Sequence, residues 1–339
     1  MQILITGVAG FVGSSLCDKL VNNKKIKIIG IDDLSYGYKD RMKSFINKIE
    51  FIKKDISKLN VNDFKKFKKI DYVIHLAAIT PLPDNQINPT ASMISNIAGT
   101  VNLLEISRKL EIKKFIFMSS GATYERSKVK KKGFNENDKI NTILMYPTSK
   151  FFGEKLCDIY NESYKLPVYK IRLFNLYGPK QDYERKHPPF LAQVFKHIIK
   201  NEKMIIFNSN NKIKRDYLYI DDLLKLILKL ISYKSKQKNL TVNACSGDSF
   251  STLEMIQEVE KVTNKKLKIQ KEKKASKFWG KYKDIYVGKY KLEDKVIKNE
   301  VFKIAEGDST LFKKIINKNT TPIQKGLKEC YEYAKKTIT

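Results

Sequence analysis

The first twenty residues of the chain contain a short apolar run that leads directly into three evenly spaced glycines. The run QILIT continues into TGVAGFVGSSL, where two residues separate Gly7 from Gly10 and Gly10 from Gly13. Glycines between a strand and a helix allow a tight turn, close approach of a phosphate to the backbone, and close helix–strand packing. The helix N-terminus then presents N–H groups to an anion. The spacing therefore predicts a dinucleotide-binding unit at the start of the chain.

The second apolar run, KIIGID, ends in two acidic residues, Asp32 and Asp33. A carboxylate at the end of this strand accepts hydrogen bonds from the adenosine ribose hydroxyls and repels a 2′-phosphate. The position therefore predicts NAD rather than NADP as cofactor. The alternative is that both aspartates only close and cap a local turn.

Apolar runs alternate with helical segments through the first half of the chain. The runs are QILIT, KIIGID, DYVIHLAA, KFIFMSS and, as a further strand after the third helix, VYKIRLFNLYG. The helical segments are predicted at Phe11 to Asn22, Ala91 to Leu110 and Pro147 to Tyr164. This alternation predicts an α/β fold, a doubly wound parallel sheet of the Rossmann type with a smaller C-terminal α/β substrate domain. We expect the NAD-binding domain at 1–178, with parts of 213–245, and the substrate domain mainly at 179–339.

The second half gives a looser pattern. It predicts a helix ending at Lys200, a strand at MIIF, a strand feeding a helix in RDYLYIDDLLKLILKLI, and a helix capped by Ser251 or Thr252. The Lys-rich segment 271–318 stays ambiguous.

Composition narrows the classes of partner. The chain has 66 basic and 36 acidic residues, a net charge of +30, but its lysines are spread over every segment rather than concentrated in one. We therefore expect anionic small ligands and no nucleic-acid partner.

The apolar runs are too short and too often broken by lysine to span a membrane, and no signal peptide is visible. The four cysteines match no zinc spacing, so we expect no metal site, and buried thiols in a cytoplasmic protein.

Nine short motifs together resemble the extended short-chain dehydrogenase/reductase family, in its nucleotide-sugar epimerase/dehydratase branch. In chain order they are TGVAGFVG, the DD at Asp32, KDI, HLAA, NIAGT, SSGATY, YPTSK, RLFNLYGP and RDYLYIDDL. The resemblance runs from Met1 to about Ser251, and the closing helix IQKGLKECYEYAKK is similar too.

The resemblance implies a catalytic set of Ser120, Tyr146 and Lys150. Tyr146 takes a hydroxyl proton while a hydride leaves the same carbon for nicotinamide, and Lys150, one helical turn away, stabilises the phenolate. Ser120, four residues before Tyr124, orients the sugar hydroxyl. His75 is expected to be a hydrogen-bonded core residue.

The resemblance also implies the ligand-binding residues. Those predicted to contact NAD are Gly7, Gly10, Phe11, Val12, Gly13, Asp32, Asp33, Asp55, Ile56, Leu76, Ala77, Ala78, Asn96, Ser119, Tyr146, Lys150 and Phe174. Those predicted to contact a nucleotide-diphosphate sugar are Thr80, Ser120, Asn175 and Arg215. The chain departs from the family pattern in having no arginine after Arg215.

The reaction type is narrowed by the residues after Ser120. Dehydratases of this branch carry an acidic pair there, whereas Gly121 and Ala122 cannot transfer a proton. This favours an epimerase that oxidises the sugar at C4 and returns the hydride. A net 4-oxidoreductase is the close alternative, and a 4,6-dehydratase or a non-catalytic NAD-binding regulator is less favoured.

Relatives also pair two helices per subunit, which implies a homodimer through a four-helix contact.

Overall fold

The computed structural model describes residues 1–233 and 237–338. Parallel strands form most of the largest of its three sheets. The strands in that part of the chain are β1 Gln2–Thr6, β2 Lys27–Asp32, β3 Glu50–Lys53, β4 Tyr72–His75, β5 Lys114–Ser120, β6 Val168–Leu173, β7 Asn175–Tyr177, β8 Met204–Ile206, β9 Lys214–Tyr219, β10 Asn239–Ala244, β11 Ser249–Ser251 and β12 Ile269–Lys271. The seven-stranded sheet has the order β10-β6-β5-β4-β1-β2-β3, with parallel pairing from β3 to β6. From β1 the chain adds β2 and β3 on one side of the sheet and β4, β5 and β6 on the other. This change of direction beside β1 confirms the predicted doubly wound sheet.

The helices alternate with these strands. They are α1 Phe11–Leu20, α2 Leu82–Ile87, α3 Pro89–Met93, α4 Gly99–Lys109, α5 Met145–Tyr164, α6 Phe190–Lys200, α7 Ile220–Ser232, α8 Thr252–Thr263, α9 Asp294–Phe302, α10 Thr310–Ile316 and α11 Ile323–Thr337. Short 3-10 helices lie at Lys39–Met42, Ile46–Lys48, Ile56–Lys58, Val61–Phe64, Gly121–Tyr124, Ala275–Lys277 and Lys283–Tyr286. None of the described helices combines the length and the apolar character needed to cross a lipid bilayer.

The chain forms two compact units that alternate along the sequence. The first unit comprises Met1–Thr123, Leu144–Leu173 and Leu224–Val242. The second comprises Tyr124–Ile143, Phe174–Leu223 and Asn243–Thr339.

The core of the first unit is built by the continuously apolar strands. Leu4, Ile31, Val73 and Phe115 are almost completely buried, as expected for strands covered on both faces. Helix α4 contributes Leu103 and further apolar residues to the same cluster. The fold thereby brings the carboxyl ends of β1, β2, β4 and β5 to one edge of the sheet, where ligands bind in doubly wound proteins.

The predicted strand VYKIRLFNLYG is two strands in the structure. Strand β6 ends at Leu173 in the first unit, and β7 begins at Asn175 in the second. Between them Phe174 donates its N–H to the carbonyl of Ala244, and its ring lies 6.2 Å from that of Tyr124. The prediction of one continuous strand was wrong because the segment has no glycine or proline before Gly178 to mark where the chain changes sheets.

The predicted helix over Ala91 to Leu110 is also interrupted. Helix α3 passes into one π-helical turn, Ile94–Ala98, before α4 begins at Gly99. A π turn adds a residue to the local hydrogen-bonded ring and often marks a functional position. Here it carries Asn96.

The second unit contains two small sheets. Strands β11-β9-β7 form one, with β11 antiparallel and β7 parallel to β9, and β12 pairs with β8 in the other. The predicted cap of α8 is confirmed, because Ser251 and Glu254 form a reciprocal capping box. The ambiguous segment 271–318 contains α9 and α10 and runs beside β9 through a parallel bridge between Ala305 and Arg215.

Candidate active site

The glycine turn after β1 has a shape that no other residue could adopt without strain. Gly7 has a φ of +76° and donates its N–H to the carbonyl of Ile31 at 2.7 Å. A Cβ on Gly13 would lie 2.0 Å from the carbonyl oxygen of Gly7. The two glycines therefore set the turn and the close approach of α1 to β1.

The first turn of α1 leaves backbone donors for a ligand. The helix begins at Phe11 behind Gly10, and no side chain caps it. The N–H groups of Phe11, Val12 and Gly13 have no acceptor within the helix, since the first such bond runs from Ser14 to Gly10. This cradle fits a pyrophosphate.

Asp32 and Asp33 both accept local hydrogen bonds. The Asp32 carboxylate accepts from the N–H of Ala9 at 2.9 Å and from that of Leu34 at 2.8 Å. Burial raises the pKa of this carboxyl, and the two N–H groups oppose that shift. Asp33 accepts from the N–H and hydroxyl of Ser35. The local turn that the sequence offered as an alternative is therefore present, and the ribose contact stays a prediction.

Asp55 and Ile56 follow the third strand, at the same edge of the sheet. The Asp55 carboxylate caps a 3-10 helix by accepting from the N–H and the hydroxyl of Ser57, both at 2.9 Å. Ile56 is buried, and a Cβ on Gly99 would lie 2.6 Å from its side chain. Asp55 thus holds the local backbone, Ile56 packs closely against Gly99 of α4, and the contact of both residues with adenine stays a prediction.

A buried hydrogen-bond chain organises the segment after β4. The N–H groups of Leu76 and Ala77 donate to the Thr6 hydroxyl, which lies 2.8 Å from His75 Nδ1. His75 Nε2 lies 3.0 Å from the hydroxyl of Thr100. Burial, followed by the charge of Lys150, lowers the pKa of His75 to about 3. His75 is therefore a neutral core residue, as predicted. Ala78 is the residue directly after the hydrogen-bonded segment His75 to Ala77.

Asn96 joins two segments of the site. Its amide accepts from the N–H of Ile79 at 2.8 Å and donates to the carbonyl of Ile79 at 3.0 Å. It also donates to the Ser149 hydroxyl at 3.1 Å, and that hydroxyl donates to the carbonyl of Tyr146 at 2.7 Å. Asn96, predicted to contact NAD, thus also ties the loop after β4 to the first turn of α5. Thr80, next to Ile79, is exposed.

Tyr146 and Lys150 lie one turn apart on α5. The helix begins at Met145, whose N–H donates to the side chain of Gln86, and Pro147 occupies the first turn, where a missing N–H is tolerated. Tyr146 is half-buried and stands at the helix start, as the sequence predicted.

Lys150 is almost completely buried. Its ammonium donates to the carbonyl of Met118 at 2.9 Å and lies 5.1 Å from the centroid of the Phe117 ring. Burial lowers its pKa to about 8. The side chain thus connects α5 to the last residues of β5, next to Ser119 and Ser120.

The two serines at the end of β5 have different partners. The Ser120 hydroxyl accepts from the N–H of Ala122 at 3.1 Å, and the residue is 8% exposed. The Ser119 hydroxyl donates to the Glu154 carboxylate at 2.5 Å. Ser120 therefore stays at the rim of the strand end, whereas Ser119 points toward α5.

Three predicted ligand-binding residues lie in the second unit. Phe174 packs among Tyr124, Phe134 and Cys245. The Asn175 amide donates to the carbonyl of Asp216 at 2.8 Å. Arg215 donates to the carbonyl of Glu300 at 2.7 Å and lies 3.8 Å from its carboxylate, rather than pairing with the aspartates near it in sequence.

Glu154 and Arg172, which were not predicted from the sequence, lie beside Ser119 at the end of β5. Arg172 donates to both carboxylate oxygens of Glu154, at 2.9 and 2.7 Å. The available signal was spacing, because Glu154 follows Lys150 by one helical turn and so shares its face with Tyr146 and Lys150. No group of three or more potential metal-binding side chains occurs in residues 1–233 and 237–338.

Comparison with known proteins identifies the family. The model of the NAD dependent epimerase/dehydratase family matches residues 3–245, well over half of the chain. The chain belongs to this family. The predicted resemblance is thereby confirmed, and with it an NAD-dependent enzyme family whose cofactor fits the glycine turn and the uncapped helix start described above.

Relatives within the family carry several activities in their names. The chain is 34% identical over 240 residues to a putative UDP-glucose 4-epimerase of Methanocaldococcus jannaschii, covering 70% of this chain and 76% of that protein. It is 36% identical over 244 residues to a dTDP-D-glucose 4,6-dehydratase of Dictyostelium discoideum, covering 66% of this chain and 53% of that protein.

A solved structure shares the complete fold. The UDP-glucose 4-epimerase of Thermotoga maritima, crystallised with UDP-glucose, superimposes with a TM-score of 0.83 at 26% identity and covers 100% of both chains. The similarity therefore includes the second unit, beyond the residues that the family model matches.

Proposed function

We propose that the protein is an NAD-dependent nucleotide-diphosphate-sugar epimerase that oxidises the sugar transiently at C4 and returns the hydride to the opposite face. The observation that carries this proposal is the position of Tyr146 and the buried Lys150 ammonium on one face of α5, with Lys150 bonded to the strand that ends in Ser120. Support also comes from relatives named as UDP-glucose 4-epimerases.

The chain's own residues supply the proton chemistry. Bound NAD supplies the hydride acceptor, and the glycine turn with the N–H groups of Phe11, Val12 and Gly13 would hold its pyrophosphate. Tyr146 removes the proton of the sugar hydroxyl, Ser120 orients that hydroxyl, and Lys150 stabilises the phenolate. A free tyrosine has a pKa of about 10, so a nearby cation is needed for it to act as a base at neutral pH.

The alternatives differ in what happens after oxidation. A net 4-oxidoreductase would use Ser120, Tyr146 and Lys150 in the same way and is the second candidate. A 4,6-dehydratase needs a further acid–base pair to eliminate water, and Gly121 and Ala122 stand where the resemblance places that pair. This departure favours an epimerase over dehydration, although one relative is named as a dehydratase.

The experiment that tests the proposal uses a panel of nucleotide sugars. The purified protein and NAD are incubated with UDP-, GDP-, dTDP- and CDP-sugars, and the products are analysed by mass spectrometry and NMR. An unchanged mass with a new sugar spectrum supports the proposal. Loss of one water would assign a dehydratase, a change of two hydrogens would assign a net oxidoreductase, and NAD binding without any product would assign a regulator.

We further propose that two copies pair through the helices α3–α4 and α5. Ile94, Phe152 and Ile159 on these helices are 48%, 49% and 53% exposed, so both helical segments carry large apolar side chains at the surface that a second copy could cover. Two such helices from each copy would form a four-helix contact.

The predicted ligand contacts outside the catalytic set form part of the same proposal. We assign Asn175, Arg215 and Thr80 to the nucleotide sugar and Asp32 to the NAD ribose.

The proposed function includes a cytoplasmic location and a role in carbohydrate biosynthesis. All four cysteines are free and buried, as expected for a protein of a reducing compartment.

A further inference from the structure

A buried ion pair lies directly behind the proposed catalytic residues. Glu154 on α5 and Arg172 on β6 are 2% and 6% exposed. The guanidinium contacts both carboxylate oxygens in a bidentate arrangement, and the Ser119 hydroxyl donates to one of them at 2.5 Å. Each oxygen of Glu154 thus receives at least one strong hydrogen bond, and the negative charge is fully partnered.

The spacing on α5 offers Glu154 a different partner. Lys150 precedes Glu154 by four residues, the separation at which a lysine and a glutamate on one helix meet and pair. The Lys150 ammonium instead donates to the carbonyl of Met118, an uncharged acceptor. Two buried, oppositely charged side chains on adjacent turns therefore remain apart because each is bonded elsewhere.

We propose that Arg172, helped by Ser119, holds Glu154 away from Lys150 and so reserves the Lys150 ammonium for Tyr146. Arg172 and Glu154 are positioning residues in this proposal, since neither acts on the substrate itself. The proposal rests on the proposed function of Tyr146 and Lys150.

The other charged groups around Lys150 leave its charge uncompensated. His75 is neutral, since burial lowers its pKa to about 3. Cys157, on the next turns of α5, is held as a thiol because burial raises its pKa well above the usual range. Lys170 of β6 is paired with Asp158. Of the carboxylates named on α5 and the packed strands, Glu154 is the one spaced to neutralise Lys150.

The consequence concerns the phenol of Tyr146. An unpaired ammonium one turn away stabilises the phenolate, whereas an ammonium paired with a carboxylate has a much weaker field. Without Arg172, Glu154 would turn to Lys150, and Tyr146 would titrate at higher pH. Removing the charges of both Glu154 and Arg172 would leave Lys150 without a carboxylate partner, as in the wild type.

The test compares Arg172→Leu with the double variant Glu154→Gln/Arg172→Leu, both loaded with NAD. The phenolate of Tyr146 is followed by ultraviolet difference absorbance against pH, and each background is corrected with its own Tyr146→Phe version. We expect the midpoint in Arg172→Leu to move up by about one pH unit or more. The double variant should return to within about 0.3 of a unit of the wild-type midpoint.

Two results would overturn the proposal: an unshifted midpoint in Arg172→Leu, or an equal shift in the single and double variants, which would indicate a packing role only. If Arg172→Leu does not fold, Arg172→Lys carries the test. A lysine cannot reproduce the bidentate contact, so we expect a shift in the same direction of about half a unit. An Arg172→Lys midpoint identical to wild type would then overturn the proposal.

This titration requires no sugar and no turnover. If the midpoints behave as expected but no nucleotide sugar is converted, the proposed function fails and the inference about Glu154 stands. If turnover occurs but the midpoints do not move, the reverse holds.

Discussion

At the scale of single residues, Gly13 is the position where the backbone leaves least space. A Cβ there would overlap the Gly7 carbonyl at 2.0 Å, whereas a Cβ on Gly10 would lie 3.2 Å from the same oxygen. Replacing glycine by alanine inside a helix normally raises stability, since alanine is the better helix former. The overlap at Gly13 should reverse that sign.

We predict that Gly13→Ala lowers the free energy of unfolding by about 2–3 kcal/mol, because α1 must move away from β1 to make room. The matched control Gly10→Ala should lose less than about 1 kcal/mol. The measurement is urea-induced unfolding of both variants and the wild type without NAD. Equal losses at the two positions would contradict this account.

Single residues also show how far sequence reasoning reaches. The glycine turn was predictable because its spacing reports a backbone constraint, and Tyr146 and Lys150 because their spacing reports a shared helix face. The contacts of Asp32 with Ala9 and of Arg215 with Glu300 were not predictable, since these partners are distant in the chain, in the glycine turn and on α9 respectively. Glu154 escaped notice because its role depends on Arg172, from a strand that follows α5.

At the scale of elements, His75 joins β1, β4 and α4 through Thr6 and Thr100. Its pKa of about 3 lies below the ordinary histidine value of 6.5. The unfolded chain therefore binds a proton in the pH range from about 6.5 down to about 3 that the folded protein does not bind. Stability supplied by the neutral ring is complete above that range and is lost as the pH falls through it.

We predict that, between about pH 8 and about pH 5, the wild type loses about 2 kcal/mol more stability than His75→Gln. Glutamine keeps a donor and an acceptor but cannot bind the proton. Chemical denaturation at the two pH values measures the difference, and other titrating groups, including His187, cancel in the comparison. Equal losses in both proteins would show that His75 titrates normally in the fold.

Element boundaries show where the sequence signal ends. Strands β1, β2, β4, β5 and β6 of the doubly wound sheet were predictable from their apolar runs, and the cap of α8 from Ser251. Strand β3 was not predicted, because it is exposed at both ends and its sequence, EFIK, is too short and too polar to stand out. The separation of β6 from β7 was not predictable, because no glycine or proline marks it in the sequence. In the structure the Phe174 N–H still bonds to Ala244 at the end of β10, and the next residue, Asn175, pairs with Tyr217 of β9. The π turn around Asn96 likewise interrupts a pattern that reads as one regular helix.

At the scale of the whole molecule, the proposed pairing of two copies gives a direct prediction. Phe152→Asp places a charge in the proposed contact and should convert a dimer into a monomer at micromolar concentration, because an unpaired buried carboxylate is costly. Ile205→Asp is the matched control, since Ile205 is 48% exposed but lies in the second unit. Sedimentation velocity distinguishes the two states. A wild-type protein that sediments only as a monomer would contradict the pairing.

The proposed reaction depends on the phenol group of Tyr146, and Tyr146→Phe tests it most directly. The turnover of a nucleotide sugar converted by the wild type is compared with that of Tyr146→Phe and of Tyr164→Phe, a control on an exposed position of the same helix. We predict that turnover falls by about a thousandfold in Tyr146→Phe alone, while calorimetry shows that this variant still binds NAD. Near-normal turnover in Tyr146→Phe would contradict the account.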